Sequence, residues 1–192
     1  MIFNTIREAG GGWDVHRELT VAGLQGIPVP QVAMGDWHRM CDELVEQDLM
    51  TDTAADLPLA SGIRRKRPDG WAVHWGRRML RILEFTRCND YTSRQDWRET
   101  TEQYKTRRYQ PLRDRIAELL PGGWSVEVVN FTLGIRGSFA ESCWTDALAG
   151  LGVSEAKVVH LMAALVAQCL TELNELYSTR AAALRVKSDA PT

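Results

Sequence analysis

The chain has 192 residues, of which 44% are hydrophobic and 25% are charged, as is ordinary for a soluble globular domain with a full core. Its four cysteines are far apart in the sequence, which argues against a zinc module or a disulfide scaffold and fits a reducing compartment. The N-terminus lacks an apolar signal segment, and the longest apolar stretch, 158–170, is too short to span a bilayer. We therefore expect an intracellular protein that makes no membrane contact.

The formal net charge of −2 hides an uneven distribution. Residues 1–61 hold three Lys or Arg against ten Asp or Glu, residues 62–115 hold fifteen against seven, and residues 116–192 hold five against eight. A cationic middle segment suggests a partner that carries phosphates, although a solvated basic face is the commoner origin of such a run.

Residues 1–50 contain helical patches that are interrupted by the glycines at 10–12 and by Pro28-Val29-Pro30. The clearest patch has apolar residues at helical spacing, namely Trp37, Met40, Cys41, Leu44, Val45 and Leu49. Residues 51–62 have the composition of a loop. We assign residues 1–60 to an N-terminal helical and loop segment packed on the core.

Two runs with β character, 71–75 and 79–86, flank a Gly-Arg dipeptide at 76–77 that is typical of a two-residue type II′ turn. The sequence therefore predicts a hairpin in which the numbers of cross-strand neighbours add up to 153. Asp69 and Glu84 obey this relation, so their Cβ atoms are expected about 5 Å apart on one face.

Two carboxylates this close repel each other and normally require a cation or a shared proton between them. Mg²⁺, or Mn²⁺ in its place, satisfies both because it prefers oxygen ligands. Glu84 lies in an apolar run where an isolated carboxylate would be costly to bury. Pro68 would interrupt strand pairing just before Asp69 and leave room for a ligand. Each carboxylate taken singly is more often a surface charge, but the pair predicts a metal site.

The following segment predicts a helix that crosses over to a parallel strand. Ser93 and Asp96 form a capping box for a helix over about 94–120, which Pro111 should kink or split in two. A Pro-Gly-Gly run ends it, and the Val-rich run 124–133 is the third strand. Because strand–helix–strand crossovers are right-handed and join parallel strands, this strand should lie parallel to the second strand of the hairpin.

The crossover helix carries a basic group that could reach the carboxylates. Lys105, Arg108 and Tyr109 are spaced to share one helix face with Leu112, which is expected to point at the sheet. Lys105 would then extend toward the acidic pair, although a solvated basic face is the commoner meaning of such a run.

The C-terminal third predicts two further helices. Ser138 and Glu141 form a capping box for the first, which Gly150 and Gly152 end, and Ser154 caps the second.

The last helix has an apolar stripe in alternating steps of four and three, formed by Val158, Met162, Val166, Cys169, Leu173 and Leu176. Such a stripe usually packs on a core, and a homodimer through it is the alternative. We assign 153–186 to this C-terminal amphipathic helix and expect a disordered tail over 187–192.

Arg67-Pro68-Asp69, a gap of fourteen residues and then Glu84 resemble the motif of the restriction-like endonuclease domain in site-specific non-LTR retrotransposons. That motif is the retroelement version of the PD-(D/E)XK nuclease motif, in which a Lys usually stands two positions after the second acid; here that position is Thr86. The retroelement branch resembles enzymes whose Lys has moved to the next helix in a Lys-x-x-Lys-Tyr pattern. Residues 105–109, Lys-Thr-Arg-Arg-Tyr, match that pattern with Arg108 as the second basic residue.

Two later passages, Gly123-Trp124 and 134–139 (Gly-Ile-Arg-Gly-Ser-Phe), resemble the "GW … G-x-RGF" passage of related retroelement reading frames. The resemblance spans 64–152 and implies an α/β fold with a restriction-endonuclease-like core at 61–152. That core would combine a β-hairpin, a crossover helix and a parallel strand in a mixed sheet, flanked by N- and C-terminal helices.

The resemblance implies a magnesium-dependent endonuclease that hydrolyses phosphodiester bonds in DNA. Asp69, Glu84 and the carbonyl of Phe85 would hold the metal, which polarises the phosphate and lowers the pKa of a bound water.

The remaining roles fall to basic and aromatic side chains. Lys105, with Arg108 as a substitute, would orient the water or stabilise phosphate charge, and Tyr109 would bind the phosphate or position Lys105. Candidates for DNA-backbone contacts are Arg64, Arg65, Lys66, Arg67, Arg87 and Arg136.

Two other functions remain open at the level of sequence. Thr86 favours a nuclease fold that binds DNA without cleaving it, and the last helix favours an interaction protein that dimerises or docks a partner. A reverse transcriptase of a parent element is a further implied partner, and a eukaryotic retroelement origin would place the chain in the nucleus.

Overall fold

The computed structural model describes residues 1–51, 66–90 and 97–188, which form a mixed α/β fold with a four-stranded sheet flanked by helices. The elements are α1 (Ile2–Glu8), β1 (Asp14–Arg17), a 3₁₀ turn (Ala22–Gly26), α2 (Gln31–Thr51), β2 (Gly70–His74), β3 (Met79–Cys88), α3 (Trp97–Leu119), β4 (Ser125–Gly134), α4 (Glu141–Gly150) and α5 (Glu155–Ser188). The predicted loop at 51–62, apart from its first residue in α2, and the predicted capping box at Ser93 and Asp96 lie outside the described residues.

The hairpin of β2 and β3 has the predicted register. Its antiparallel pairs run from Gly70 with Leu83 to His74 with Met79, so every pair adds up to 153. The predicted type II′ turn is wrong, because positive φ falls at Arg78 (52°) and not at the glycine after Trp75. The loop instead has four residues and is closed by a hydrogen bond from the Arg78 N–H to the Trp75 carbonyl (3.2 Å). A two-residue loop at 76–77 and a four-residue loop at 75–78 have the same centre, so the residues that flank them pair in the same register.

The sheet has the order β1-β2-β3-β4, with β3 and β4 parallel as predicted and joined by α3. Pro111 does not split α3, which runs unbroken through it. Pro111 has no N–H to donate to the carbonyl of Arg107. Arg107 and Pro111 are both exposed, so water can hydrogen-bond to that carbonyl instead. Strand β1 was not predicted: it is four residues long and buries only Val15, too short a pattern to be recognised.

Both faces of the sheet are covered. Side chains alternate along β2 and β3, so that one face packs against α2 and α3 while the other packs against α1, α4 and α5. Leu80 and Ile82 belong to the first face, which we call the α3 face, and Leu83 belongs to the second.

The start of α4 differs from the prediction. Ala140 occupies the N-cap without a side-chain hydrogen bond, and Ser138 instead donates to Asp90. Helix α4 ends at Gly150 as predicted, and Gly152 (φ 80°) allows the Val153 N–H to bond back to the Leu148 carbonyl.

Helix α5 follows Ser154 directly and continues through Ser188, two residues past the predicted end of the helix at 186, and 189–192 lie outside the described residues. Its segment Glu155–Arg180 is long and apolar enough to cross a membrane, with a mean hydropathy of 1.4 in its best window, but only length and composition indicate a span. Val158, Met162 and Cys169 of the predicted stripe are buried in the core, whereas Leu176 is 51% exposed.

Replacing a core side chain of the central strand should destabilise the fold strongly. We expect Leu83→Ala, at a fully buried position, to lower the free energy of unfolding by about 2–5 kcal/mol in urea denaturation, because it leaves a cavity. The control Val32→Ala, at a site that is 89% exposed, should change it by less than about 0.5 kcal/mol. Equal effects would contradict the placement of β3.

Candidate functional site

The α3 face becomes polar at the carboxyl ends of β3 and β4. Glu84 and Thr86 continue the alternation of Leu80 and Ile82, so they face α3. In the parallel register Glu84 pairs with Asn130 and Thr86 with Thr132, which places these four side chains together on that face.

Glu84 is a buried carboxylate in the middle of the sheet, with 4% of its surface exposed. Its Oε1 forms an ion pair with the Nζ of Lys105, whose side chain is 17% exposed. Leu112, two turns further along α3, is fully buried against the same face. The predicted reach of Lys105 toward the acidic site is therefore confirmed.

Asp69 lies at the end of β2, where strand pairing stops. Its Oδ2 accepts a hydrogen bond from the backbone N–H of Phe85 (2.7 Å), and its carbonyl accepts one from the N–H of Glu18 (3.1 Å). Because β2 pairs with β3 only as far as Leu83, the continuation of β3 is open on this side, and the Asp69 carboxylate occupies the opening. The site thus joins Asp69 to the backbone of the residue that follows Glu84.

Tyr109 connects the two carboxylates electrostatically. It is buried, and its pKa is raised first by burial and then by the charge of Glu84, by a hydrogen bond to Glu84 and by the charge of Asp69. A phenol whose pKa is raised stays protonated at neutral pH, so Tyr109 acts as a hydrogen-bond donor; the carbonyl of Arg67 also lies 3.5 Å from its hydroxyl.

Several buried oxygen atoms at this site have no hydrogen-bond partner among the described residues. They are Oε2 of Glu84, Oδ1 of Asn130, and the hydroxyls of Thr86 and Thr132. The amide nitrogen of Asn130 donates to Thr106 on α3 (2.8 Å), so of its two amide atoms the oxygen is the one without a partner. A water or a cation at this position would satisfy these oxygen atoms.

Sequence reasoning missed Asn130 as a member of the site. No motif marks it, and only the register of β3 with β4 places it beside Glu84. No cluster of three or more His, Cys, Asp or Glu side chains occurs in the part of the chain that the structure describes, so a cation here would depend on the two carboxylates and neutral oxygens.

Two of the predicted basic residues, Lys66 and Arg108, lie beside the ring of Tyr109. The Nζ of Lys66 lies 5.8 Å and the guanidinium of Arg108 lies 5.5 Å from the ring centroid. Lys66 also donates to the carbonyl of Arg108, and its pKa is lowered by burial and by the Arg108 charge. Both cations therefore lie within 6 Å of the centre of the Tyr109 ring.

The other predicted DNA contacts are dispersed. Arg67 forms an ion pair with Glu18 (2.8 Å), and Arg87 pairs with Glu172 on the opposite face of the sheet. Arg136 is exposed in the turn after β4. Arg64 and Arg65 lie outside the described residues.

No protein-family model matches this chain, and no curated protein matches it in sequence. The chemistry of the site must therefore be inferred from its own residues.

The buried ion pair should be strongly coupled. We expect Lys105→Met to destabilise the fold by about 3–5 kcal/mol, because it leaves the Glu84 carboxylate buried without a counter-charge. Adding Glu84→Gln should recover part of that loss, which gives a coupling above about 1 kcal/mol in a double-mutant cycle of unfolding free energies.

The exposed Asp36–Arg39 pair, with side chains 43% and 58% exposed, is the control. Its coupling should be below about 1 kcal/mol. A Glu84–Lys105 coupling no larger than that of the control would contradict a desolvated pair.

Proposed function

We propose that the chain is a metal-dependent DNA endonuclease with a restriction-endonuclease-like core of the PD-(D/E)XK type. The observation that carries the proposal is the Glu84–Lys105 ion pair, with the Asp69 carboxylate hydrogen-bonded to the N–H of the next residue, Phe85, at the open end of the hairpin. The mixed sheet supports it, because an antiparallel hairpin followed by a crossover helix and a parallel strand is the arrangement that the sequence resemblance implies.

The residues present fit a divalent metal. Glu84 offers a buried oxygen without a partner, and Asp69 holds its carboxylate at the neighbouring position. The N–H and C=O of one residue in an extended strand face the same neighbour, so the Phe85 carbonyl faces the side on which Asp69 lies. These are the oxygen ligands that Mg²⁺ and Mn²⁺ prefer. When bound, the metal would supply a Lewis acid for the phosphate and lower the pKa of a water ligand.

The chain's own groups would then bind and orient the phosphate. The Lys105 ammonium is fixed beside Glu84 and would stabilise negative charge on the phosphate oxygens. The protonated hydroxyl of Tyr109 would donate a hydrogen bond, either to a phosphate oxygen or to Glu84. Lys66 and Arg108 lie beside the Tyr109 ring and would hold the DNA backbone.

The alternative is a DNA-binding module with this fold that has lost cleavage. Thr86 stands where most nucleases of the superfamily carry Lys, and its buried hydroxyl has no partner among the described residues. The Lys105–Glu84 ion pair favours the same alternative if it excludes a metal, because it already neutralises Glu84.

Cleavage of supercoiled plasmid DNA with Mn²⁺ distinguishes the two. We expect Asp69→Ala, Glu84→Gln and Lys105→Met each to reduce the cleavage rate at least about 100-fold, since each removes a group that acts on the phosphate or the metal. The matched control Glu118→Gln, at a side chain that is 65% exposed on α3, should cleave like the wild type.

Mn²⁺ binding measured by electron paramagnetic resonance separates loss of metal from loss of chemistry. Asp69→Ala and Glu84→Gln should weaken binding, while Lys105→Met should retain it. If the wild type and Asp69→Ala show the same residual cleavage but still shift DNA on a gel, the enzyme proposal fails and the binding module stands.

DNA affinity should depend on salt through Lys66 and Arg108. Lys66→Gln and Arg108→Gln should each weaken binding uniformly across DNA sequences and reduce the slope of log affinity against log salt by about 1. Arg39→Gln, an exposed control on α2, should leave the slope unchanged. If neither Lys66→Gln nor Arg108→Gln changes the slope, the DNA binds at another surface of the protein.

A further inference from the structure

Three side chains that carry oxygen atoms follow one level across the sheet. Glu84 on β3 pairs with Asn130 on β4 in the parallel register, and neighbouring strands lie about 4.8 Å apart. The hairpin register, continued one step beyond its last pair, brings Asp69 opposite Glu84. The hydrogen bond from the Phe85 N–H to the Asp69 carboxylate keeps Asp69 against β3 after strand pairing has stopped. Glu84 therefore lies between a carboxylate on one side and an amide on the other.

Contacts with α3 fix the orientation of the Asn130 amide. Its nitrogen donates to Oγ1 of Thr106 (2.8 Å) and to the carbonyl of Glu102 (3.4 Å). A carbonyl oxygen can only accept a hydrogen bond, so the nitrogen of the amide must be the atom that faces Glu102. The helix thus takes the donor end of the amide. Oδ1 of Asn130 is buried and has no hydrogen-bond partner among the described residues.

Oε2 of Glu84 is a second buried acceptor without a partner in the described part of the chain. Glu84 is 4% exposed, and Lys105 pairs with its other oxygen, Oε1. Two acceptors cannot hydrogen-bond to each other, so a group that joins Oε2 of Glu84 to Oδ1 of Asn130 must be a donor or a cation. The unpartnered hydroxyls of Thr86 and Thr132 belong to the next pair but one along the same face.

We infer that Oδ1 of Asn130 is a further ligand of the divalent metal that Asp69 and Glu84 would hold; the inference rests on the function proposed above. Carboxylate and carbonyl oxygens suit Mg²⁺ and Mn²⁺. The amide of Asn130 supplies such an oxygen from a third strand, and its nitrogen holds it in place through α3.

A neutral ligand at position 130 suits a site that must also bind phosphate. Asp69, Glu84 and Lys105 carry two negative charges and one positive charge. A divalent ion changes their net charge from negative to positive, and the charge of one phosphodiester group then balances it. A carboxylate at position 130 would make the metal-bound site neutral before phosphate binds. Asn130 adds a ligand without weakening the attraction for DNA phosphate.

Mn²⁺ titration of the full chain, followed by electron paramagnetic resonance, tests this ligand. We expect Asn130→Leu, which is similar in size but lacks the oxygen, to raise the Mn²⁺ dissociation constant at least about 10-fold. Asn130→Asp should lower it at least about 3-fold, because it adds a negative charge beside the metal. The matched control Thr106→Val removes a hydroxyl that the Asn130 nitrogen contacts and keeps Oδ1. It should change the constant less than about 3-fold.

A direct readout comes from electron–nuclear double resonance of bound Mn²⁺. The protein is labelled with ¹³C at the side-chain carbonyl of asparagine. An amide oxygen on the metal places that carbon about 3 Å from Mn²⁺. The corresponding signal should appear in the wild type and be absent from Asn130→Asp, in which position 130 carries no label. This comparison decides the inference even if Asn130→Leu loses the wild-type circular dichroism spectrum.

Two outcomes would overturn the inference and leave the proposed function standing. One is a wild type that binds Mn²⁺ through Asp69 and Glu84 but shows no such carbon, with Asn130→Leu binding as tightly; a water would then join the two oxygens. The other is an equal loss of affinity in Asn130→Leu and Thr106→Val, which would mean that Asn130 acts only by holding α3. A wild type that binds no Mn²⁺ would overturn the proposed function and this inference together.

Discussion

The ion pair between Glu84 and Lys105 is the interaction on which the polar end of this fold depends. A carboxylate in the central strand is taken out of water, which costs several kcal/mol unless an opposite charge and hydrogen bonds accompany it. Lys105 supplies that charge from α3, on the helix face that meets the sheet. Tyr109 and Leu112 then follow into the same interface at helical spacing. The pair therefore joins the packing of α3 to the chemistry of the site.

The alternation of side chains along β3 gives the α3 face an apolar part and a polar part. Leu80 and Ile82 fill a dry core with α2 and α3, whereas Glu84 and Thr86 leave buried oxygens without partners. Departures from a satisfied interior are expected at functional sites, where stability is exchanged for a binding surface. The change occurs where β2 ends and Asp69 replaces the ladder with a side-chain contact to Phe85.

Helix α5 has a separate role from the site. Its inner side completes the second core, and the Arg87–Glu172 ion pair ties it to β3. Because Arg87 is engaged there, on the face away from Glu84, it would have to break this pair to contact DNA. On the other side of α5, Val159 and Leu170 remain more than half exposed.

The sequence by itself determined the register of the hairpin, the parallel pairing of β3 with β4 and the approach of Lys105, because alternation and helical periodicity are local properties. It could not determine the turn type, the pairing of β1 or the start of α4, since these depend on competing contacts such as that of Ser138 with Asp90. Asn130 joined the site only through a strand register between distant segments. How far the α5 stripe is buried also required the tertiary structure, because its spacing is the same along the helix, yet Val158, Met162 and Cys169 pack in the core while Leu176 is 51% exposed.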